Sequence, residues 1–202
     1  MLRLHRAKHG KNPAGSYDEA ADVEQRLIQH VLAIIFMVMA PVSSAFSAPY
    51  AAVVMDARDG TVYHSRNADT RLHPASLTKM MTLYIAFQAV ERGEISLDTK
   101  VTISANAAAE PPSKLGLRRG QKIKLRYLIR AAAIKSANDA ATAIGEAISG
   151  SEKAFARRMT RTAEALGMKK TTFRNAHGLT NRTHLSTARD MTILGRHMIY
   201  DY

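Results

Sequence analysis

The chain has 202 residues, of which 46% are hydrophobic and 23% charged, and this globular composition excludes a low-complexity chain. It has no cysteine, so disulfide bonds are excluded. The net charge of +12 would attract an anionic polymer, but aromatic residues do not interleave with the densest basic cluster, so we expect no nucleic-acid partner. We interpret the cluster as a solvated face, with attraction to an anionic polymer as the alternative. It consists of Lys114, Arg118, Arg119, Lys122, Lys124 and Arg126.

The N-terminal segment is typical of a secretory signal. Residues 31–40 form an apolar run that is too short to span a bilayer as a helix and suits the apolar region of a signal peptide. Small residues at 43–45 or 45–47 offer a cleavage site. We predict that residues 1–47 are a signal peptide and leader and that residues 48–202 form an exported domain. Acidic residues upstream of the run are atypical of a signal, so a true start further downstream, or an uncleaved anchor, stays open.

The first part of the domain is predicted to be a hairpin followed by a helix. Residues 51–55 and 61–64 have the composition of strands, and an Asp-Gly dipeptide typical of a tight turn joins them. The apolar run that begins after Ser76 predicts a helix that ends near Gly93. Residues 101–103 form a short extended piece, and the Pro-Pro pair that follows marks a loop.

The second part of the domain is predicted to be mainly helical. Apolar residues recur at helical spacing over 125–134 and 139–148, and a longer helix after them ends at Gly167. Residues 171–174 are predicted to form a strand, and a last helix includes residues 191–198. The methionines that stripe these helices are typical of core packing rather than of a cofactor site.

Ser76 and Lys79 form an S-x-x-K pattern at the start of the first predicted helix of this domain. Because residues i and i+3 share one helix face, the lysine amine can reach the serine hydroxyl. A serine needs a base to act as a nucleophile, and lysine supplies one when burial disfavours its charged form. The helix start also favours the oxyanion that forms when a carbonyl is attacked. Taken alone, the pattern favours a plain serine N-cap with a solvated lysine behind it.

A second polar pair, Ser136 and Asn138, lies at the junction of the helices predicted over 125–134 and 139–148. Residues at such a junction can point into a cleft, where Ser136 would relay a proton and the Asn138 amide would hold Lys79 and a substrate carbonyl. The competing interpretation is a Ser/Asn turn that caps the second helix, and on its own the pair favours that turn.

Longer segments carry a resemblance that decides between these interpretations. Residues 74–81, PASLTKMM, and residues 125–140, LRYLIRAAAIKSANDA, are similar to two signature segments of the serine D-alanyl-D-alanine carboxypeptidases, the low-molecular-mass penicillin-binding proteins. Further segments that resemble this family are 54–60, 64–69, 175–179 and 186–191. The resemblance runs with little interruption from about residue 50 to residue 202.

The resemblance implies a role for each of the four polar residues. Ser76 would form an acyl-enzyme, Lys79 would be the general base, and Ser136 would relay a proton. Asn138 would bind substrate. Ala137 stands where the family usually has glycine, a change that we regard as tolerable because both residues are small.

The resemblance also implies an α/β (α+β) fold of the β-lactamase/transpeptidase type, in which helices pack on an antiparallel sheet. The family's third motif, Lys-Thr-Gly, does not follow Asn138, and the nearest candidate, at residues 170–172, lacks the glycine and comes too early. We therefore interpret residues 48–202 as the N-terminal part of a penicillin-binding, transpeptidase-like catalytic domain, truncated before the third motif and missing its C-terminal sheet strands. We expect the helix after Ser76 to have an uncovered apolar face.

The expected function is that of an exported serine-type carboxypeptidase. It would remove the terminal D-alanine from peptidoglycan stem peptides ending in D-Ala-D-Ala, and β-lactam antibiotics would acylate it. We expect no metal and no cofactor, and we interpret His177 as a structural or rim residue rather than a ligand. We place the protein in the periplasm or at the outer face of the cytoplasmic membrane, with peripheral membrane association as an option.

Two alternatives stay open. The absent third motif is compatible with a non-catalytic cell-wall-binding remnant of the fold. A serine β-lactamase would use a separate glutamate to activate the deacylating water. Glu146, Glu152 and Glu164 all lack the E-x-x-L-N context that this role would require.

Overall fold

The computed structural model describes residues 15–38, 49–179 and 181–202. The chain divides into two compact units, Met1–Ser47 and Ala48–Tyr202. The roles that the sequence suggests for them, a leader and a catalytic domain, stay predictions.

The first unit contains helix α1 (Gly15–Val38), which includes most of the predicted apolar run. Within the described ranges, no helix combines the length and apolar character needed to cross a membrane. The predicted cleavage segment, residues 43–47, lies outside the described residues, so the signal peptide also stays a prediction.

The second unit opens with the predicted hairpin, in which β1 (Ala52–Met55) and β2 (Val62–Arg66) pair antiparallel. The register pairs Ala52 with Arg66, Val53 with Ser65, Val54 with His64 and Met55 with Val62, with an irregularity before the last pair. Gly60 adopts a φ of +83° in the connecting turn, which explains the glycine at this position.

Helices make up most of the remaining structure. After a 3-10 turn at Ala75–Leu77, the elements in chain order are α2 (Thr78–Glu91), β3 (Lys100–Thr102), α3 (Ala105–Ala109), β4 (Lys122–Lys124), α4 (Leu125–Ile134), α5 (Asn138–Ser149), α6 (Glu152–Ala165) and α7 (Ala188–Tyr200). The predicted helices are therefore confirmed within one or two residues at most of their ends. β3 and β4 pair antiparallel as a second small sheet, of which only β3 was predicted.

The expectation that the helix after Ser76 has an uncovered apolar face is largely wrong. α2 packs against α4, α5, α6 and α7, and it is apolar on several sides because neighbours surround it. Its buried residues are Thr78, Lys79, Met81, Thr82, Leu83, Tyr84, Ile85, Ala86 and Ala89. Leu77 is exposed and Met80 half-buried, and both line an apolar cavity of about 440 Å³ beside β1 and α7.

Small residues allow α5 to lie at the centre of the helices. Ala140, Ala141, Ala143 and Gly145 are buried where α5 meets its neighbours. A Cβ atom on Gly145 would lie 2.6 Å from Cδ1 of Phe155, so only glycine permits the observed approach of α6. α5 therefore joins the core around α4 and β3 to the core around α6 and α7.

The strand predicted at residues 171–174 is not formed. Thr172 makes a single bridge with Leu185. The next two backbone amides bond to side chains, since Phe173 donates to the Thr160 hydroxyl and Arg174 to Nδ1 of His184. A strand cannot propagate when side chains occupy the donors of its ladder.

Candidate active site

Lys79 is the most deeply buried cation of the sequence-predicted site, with 3% of its surface exposed. Its Nζ donates to Oδ1 of Asn138 and to the carbonyl oxygen of His177, each at 2.8 Å. Burial lowers the pKa of Lys79 to about 8, and the nearby Glu110 carboxyl acts in the opposite direction. In a substantial fraction of molecules the Lys79 amine is therefore neutral close to physiological pH.

The amide of Asn138 is oriented by contacts on both sides. Asn138 begins α5, its Nδ2 donates to the carbonyl oxygen of Pro111 at 3.0 Å, and its backbone N–H donates to that of Ser113 at 2.8 Å. Oδ1 is therefore the atom that faces Lys79. The loop before β4 and the start of α5 together position this acceptor.

Ser76 lies in the middle of the 3-10 turn that precedes α2, and its side chain is exposed. The preceding Ala75 has a φ of +48°, a conformation that non-glycine residues rarely adopt. Strained backbone of this kind is concentrated at functional sites, where surrounding contacts hold it in place. The structure thus presents the predicted nucleophile at the surface, directly before the buried lysine.

Gly178 supplies the contact that holds this turn. Its φ is +90°, and a Cβ atom there would lie 1.8 Å from the carbonyl oxygen of Ala75 and 2.8 Å from Oγ1 of Thr78. The glycine therefore lets the segment after α6 lie directly against the turn that carries Ser76. Because His177 is its neighbour in the chain, the same segment also brings a carbonyl oxygen to Lys79.

Ser136 sits between α4 and α5 with a φ of +55° and a half-buried side chain. Among the hydrogen bonds of the described residues, none joins Ser76 or Ser136 to Lys79 through a side chain. Contacts in an unliganded site often shorten only when substrate binds. The structure thus joins Lys79 to Asn138 directly and leaves both serines at the rim, so the roles predicted for these residues remain predictions.

A buried histidine braces the start of α2. The His184 ring is 1% exposed, and its Nδ1 accepts the backbone N–H of Arg174. The neutral ring therefore carries its proton on Nε2, which donates to Oγ1 of Thr78 at 2.8 Å. Burial lowers the pKa of His184 to about 4, which keeps the ring neutral.

Sequence reasoning missed a cluster behind Lys79, formed by Glu110, Glu152 and His177. Nε2 of His177 lies 3.4 Å from Oε1 of each glutamate. The hydroxyl of Thr142 lies 2.9 Å from Oε1 of Glu110 and 3.3 Å from Oε1 of Glu152. His177 lies in residues 175–179, one of the segments that resemble the family, but no local sequence pattern links this segment to the two glutamates.

The cluster resembles a set of metal ligands, because its three ligand atoms lie within 4.8 Å of one another. However, Nδ1 of His177 accepts the backbone N–H of Leu179 at 3.0 Å. The neutral ring must then carry its proton on Nε2, the nitrogen that a metal would need as a lone-pair donor. The donor set therefore suits a hydrogen-bonded carboxyl pair better than a cation.

Comparison with known proteins identifies a family and relatives that this chain resembles. Residues 38–202 match the family model described as D-alanyl-D-alanine carboxypeptidase. The chain is 38% identical over 148 residues to the D-alanyl-D-alanine carboxypeptidase DacF of Bacillus subtilis, covering 73% of this chain and 38% of that protein. The chain thus spans well under half the length of this curated relative.

Solved structures agree in fold. The crystal structure of the D-alanyl-D-alanine carboxypeptidase DacD from Francisella tularensis matches with a TM-score of 0.74 and 40% identity, over 81% of this chain and 40% of that one. Penicillin-binding protein D2 from Listeria monocytogenes, in its cefotaxime-bound form, matches with a TM-score of 0.66 and 32% identity, over 77% of this chain and 65% of that one. The predicted β-lactamase/transpeptidase-like α/β fold is confirmed.

Proposed function

Because this chain belongs to the D-alanyl-D-alanine carboxypeptidase family, we propose that Ser76 attacks the carbonyl carbon of a peptide ending in D-Ala-D-Ala. Lys79 accepts the hydroxyl proton, and an ester forms between Ser76 and the penultimate residue. The proton then passes through Ser136 to the departing amine, which leaves as D-alanine. Water hydrolyses the ester and regenerates the serine, so the reaction needs neither a metal nor a cofactor.

The hydrogen bonding of Lys79 is the observation that carries this proposal. A neutral amine has two N–H groups and one lone pair, and two acceptors lie 2.8 Å from Nζ, on Asn138 and His177. When both N–H groups are used, the remaining lone pair is available as a base for Ser76. Burial supplies the neutral form by lowering the pKa of Lys79 to about 8.

The setting of Ser76 supports its role as the nucleophile. It lies at the N-terminal end of α2, where the helix dipole favours developing negative charge. Asn138 would contact the substrate carbonyl with the part of its amide that Lys79 does not occupy. The full activity remains a proposal, since the chain covers only part of its relatives' length.

The cellular setting is part of the same proposal. Residues 1–47 would direct export, and residues 48–202 would act on peptidoglycan stem peptides in the periplasm or at the outer face of the cytoplasmic membrane. β-Lactams would acylate the same serine, as the cefotaxime-bound relative suggests. Peripheral membrane association is compatible with this placement.

Labelling with a fluorescent penicillin tests the proposal. The parental chain should form a covalent adduct that survives denaturation, and Ser76→Ala should abolish it. Lys79→Gln should slow labelling by about 10²-fold or more, because the serine loses its base. Ser65→Ala, a change at an exposed serine in β2, serves as the matched control and should label at the parental rate.

The alternatives give different outcomes. No labelling of the folded chain would contradict the proposal and favour a non-catalytic wall-binding domain. Rapid release of a hydrolysed penicillin, with no cleavage of a D-Ala-D-Ala peptide, would favour a β-lactamase instead.

A further inference from the structure

Two carboxylates lie unusually close together behind the proposed base. The side chains of Glu110 and Glu152 are 10% and 20% exposed, and their Oε1 atoms flank the same N–H of His177. Two carboxylates that share a buried site cannot both carry a charge at low cost, so one of them keeps a proton.

The hydrogen-bond donors around the pair indicate which carboxyl keeps the proton. Glu152 receives the backbone N–H of Ala176 at 3.2 Å and contacts Nδ2 of Asn106 at 3.5 Å. Glu110 receives neither of these N–H donors. Besides the shared ring N–H, its one donor among the described residues is the Thr142 hydroxyl, at 2.9 Å, and its side chain is the more buried of the two. The charged form is therefore better solvated at Glu152, and the proton belongs on Glu110. Burial and the neighbouring acids raise the pKa of Glu110, in the direction that this geometry requires.

The pair is coupled to Lys79 through His177 and through space. The ring of His177 contacts both glutamates, and its carbonyl oxygen accepts a hydrogen bond from Nζ of Lys79. A negative charge on Glu110 raises the pKa of Lys79 and so holds the amine in its charged form, which cannot act as a base. The ionisable groups that face Glu110 are Lys79 from α2, Asp139 and Glu146 from α5, Glu152 from α6, and His177 from the loop after α6.

We propose that Glu110 is a positioning residue for Lys79: it holds the proton that the Glu110–Glu152 pair shares, so that the remaining negative charge lies on Glu152 and not on the carboxyl that opposes the neutral amine. The pair takes this proton up from solvent, so no further reactant is required. This inference rests on the proposed function only where it concerns the base activity of Lys79. The protonation of Glu110 stands independently of any catalysis.

Two single variants should move the titration of Lys79 in different ways. Glu152→Gln removes the competing charge, so Glu110 should ionise more readily and raise the Lys79 midpoint, by about 0.5 to 1 unit. Glu110→Gln fixes the neutral form and should leave that midpoint at or below the parental value. The double variant should return to the Glu110→Gln value, a reversal that mere loss of packing would not produce. Glu164→Gln, on the exposed face of α6, is the control.

NMR titration of the ¹³C-labelled chain measures both groups without requiring activity. Glu110 should titrate no lower than Lys79 in the parental chain, and at a lower pH in Glu152→Gln than in the parental chain. The pH dependence of penicillin labelling should then shift in the same direction as the Lys79 midpoint in each variant.

The outcomes separate this inference from the proposed function. Absent labelling with a high Glu110 midpoint would contradict the proposed function but support the shared proton. A Glu110 midpoint below that of Lys79 would overturn the inference, because Glu110 would then be charged wherever Lys79 is neutral. An unchanged or lower Lys79 midpoint in Glu152→Gln would overturn it as well.

Discussion

At the scale of single residues, the properties of the site depend on the hydrogen-bond acceptors around the buried amine of Lys79. Lys79 has two neutral acceptors, the side-chain oxygen of Asn138 and the main-chain oxygen of His177. Neutral acceptors position the amine, whereas a negatively charged acceptor would raise its pKa and favour the protonated form. The same residue therefore satisfies its hydrogen bonds and retains its basicity.

The burial of Lys79 predicts a pH-dependent stability that can be measured without substrate. Its pKa is about 8 when folded and about 10.4 when unfolded, so the unfolded chain binds more protons between these values. The stability of the parental chain relative to Lys79→Gln should therefore rise with pH across this window, by up to about 3 kcal/mol. Urea unfolding at pH 7 to 11 measures the difference.

Lys153→Gln, at an exposed position of α6, controls for the loss of one positive charge. A flat difference between the parental chain and Lys79→Gln over this pH range would show that the lysine is not desolvated in solution.

Gly178→Ala should be severely destabilising, because the new Cβ atom would collide with the carbonyl oxygen of Ala75. The positive φ of 90° adds backbone strain, and we expect a loss of about 3 kcal/mol or more in the free energy of unfolding. Gly150→Ala is the matched control, since its φ of +77° is similar but no atom lies within 4 Å. It should cost only about 1 to 2 kcal/mol. Equal losses would show that the close approach to Ala75 is not present in solution.

At the scale of elements, α5 positions one side of the site and tolerates little change. Gly145→Ala improves helix propensity, yet its Cβ atom would lie 2.6 Å from the fully buried ring of Phe155. We expect a net loss of about 1 to 3 kcal/mol in thermal or urea unfolding. Ala147→Leu, on the exposed side of the same helix, should change stability by no more than about 0.5 kcal/mol. A stabilising Gly145→Ala would contradict the observed packing of α5 on α6.

The start of α5 also holds the loop before β4. Both carboxylate oxygens of Asp139 accept backbone N–H groups from that loop, those of Leu115, Gly116 and Leu117, at 2.9 to 3.0 Å. The neighbouring Asn138 accepts a hydrogen bond from Lys79, so adjacent residues position the loop and the Lys79 amine.

Asp139→Asn should release this loop, because its NH₂ group would face two N–H donors if Oδ1 kept its present contacts. Hydrogen exchange at residues 115–117 should accelerate by at least about tenfold, in line with a loss of about 1 to 3 kcal/mol for unpaired buried donors. Asp59→Asn, in the hairpin turn, is the control and should leave exchange in this loop unchanged. Unchanged hydrogen exchange at residues 115–117 in Asp139→Asn would contradict the role of this carboxylate in holding the loop.

At the scale of the whole molecule, local patterns predicted the helices well and the long-range polar contacts poorly. Apolar residues at helical spacing predict α4, α5 and α6. Gly167, which follows α6, has a φ of +86°, as expected of a glycine that ends a helix. The segment at 171–174 was mistaken for a strand because composition does not reveal that side chains occupy its amides. β4 was missed because two of its three residues are lysines.

The site residues also separate into those that local motifs predict and those that only the folded structure brings together. The residues of the two short motifs were predicted, since chemistry and resemblance both mark them. Glu110 and Glu152 were missed as partners of His177, because they come from distant parts of the chain and meet only after α5 and α6 have packed. Burial, which sets the behaviour of both Lys79 and Glu110, is a property of the folded molecule rather than of any segment.

The most direct test of the central claim is mass spectrometry of the chain after reaction with a penicillin over a range of pH. We predict one covalent adduct, on the peptide that contains Ser76, with a rate of formation that rises as the pH passes through about 8, where Lys79 loses its proton. An adduct on another residue, or a rate that does not change across this range, would contradict the assignment of Lys79 as the base for Ser76.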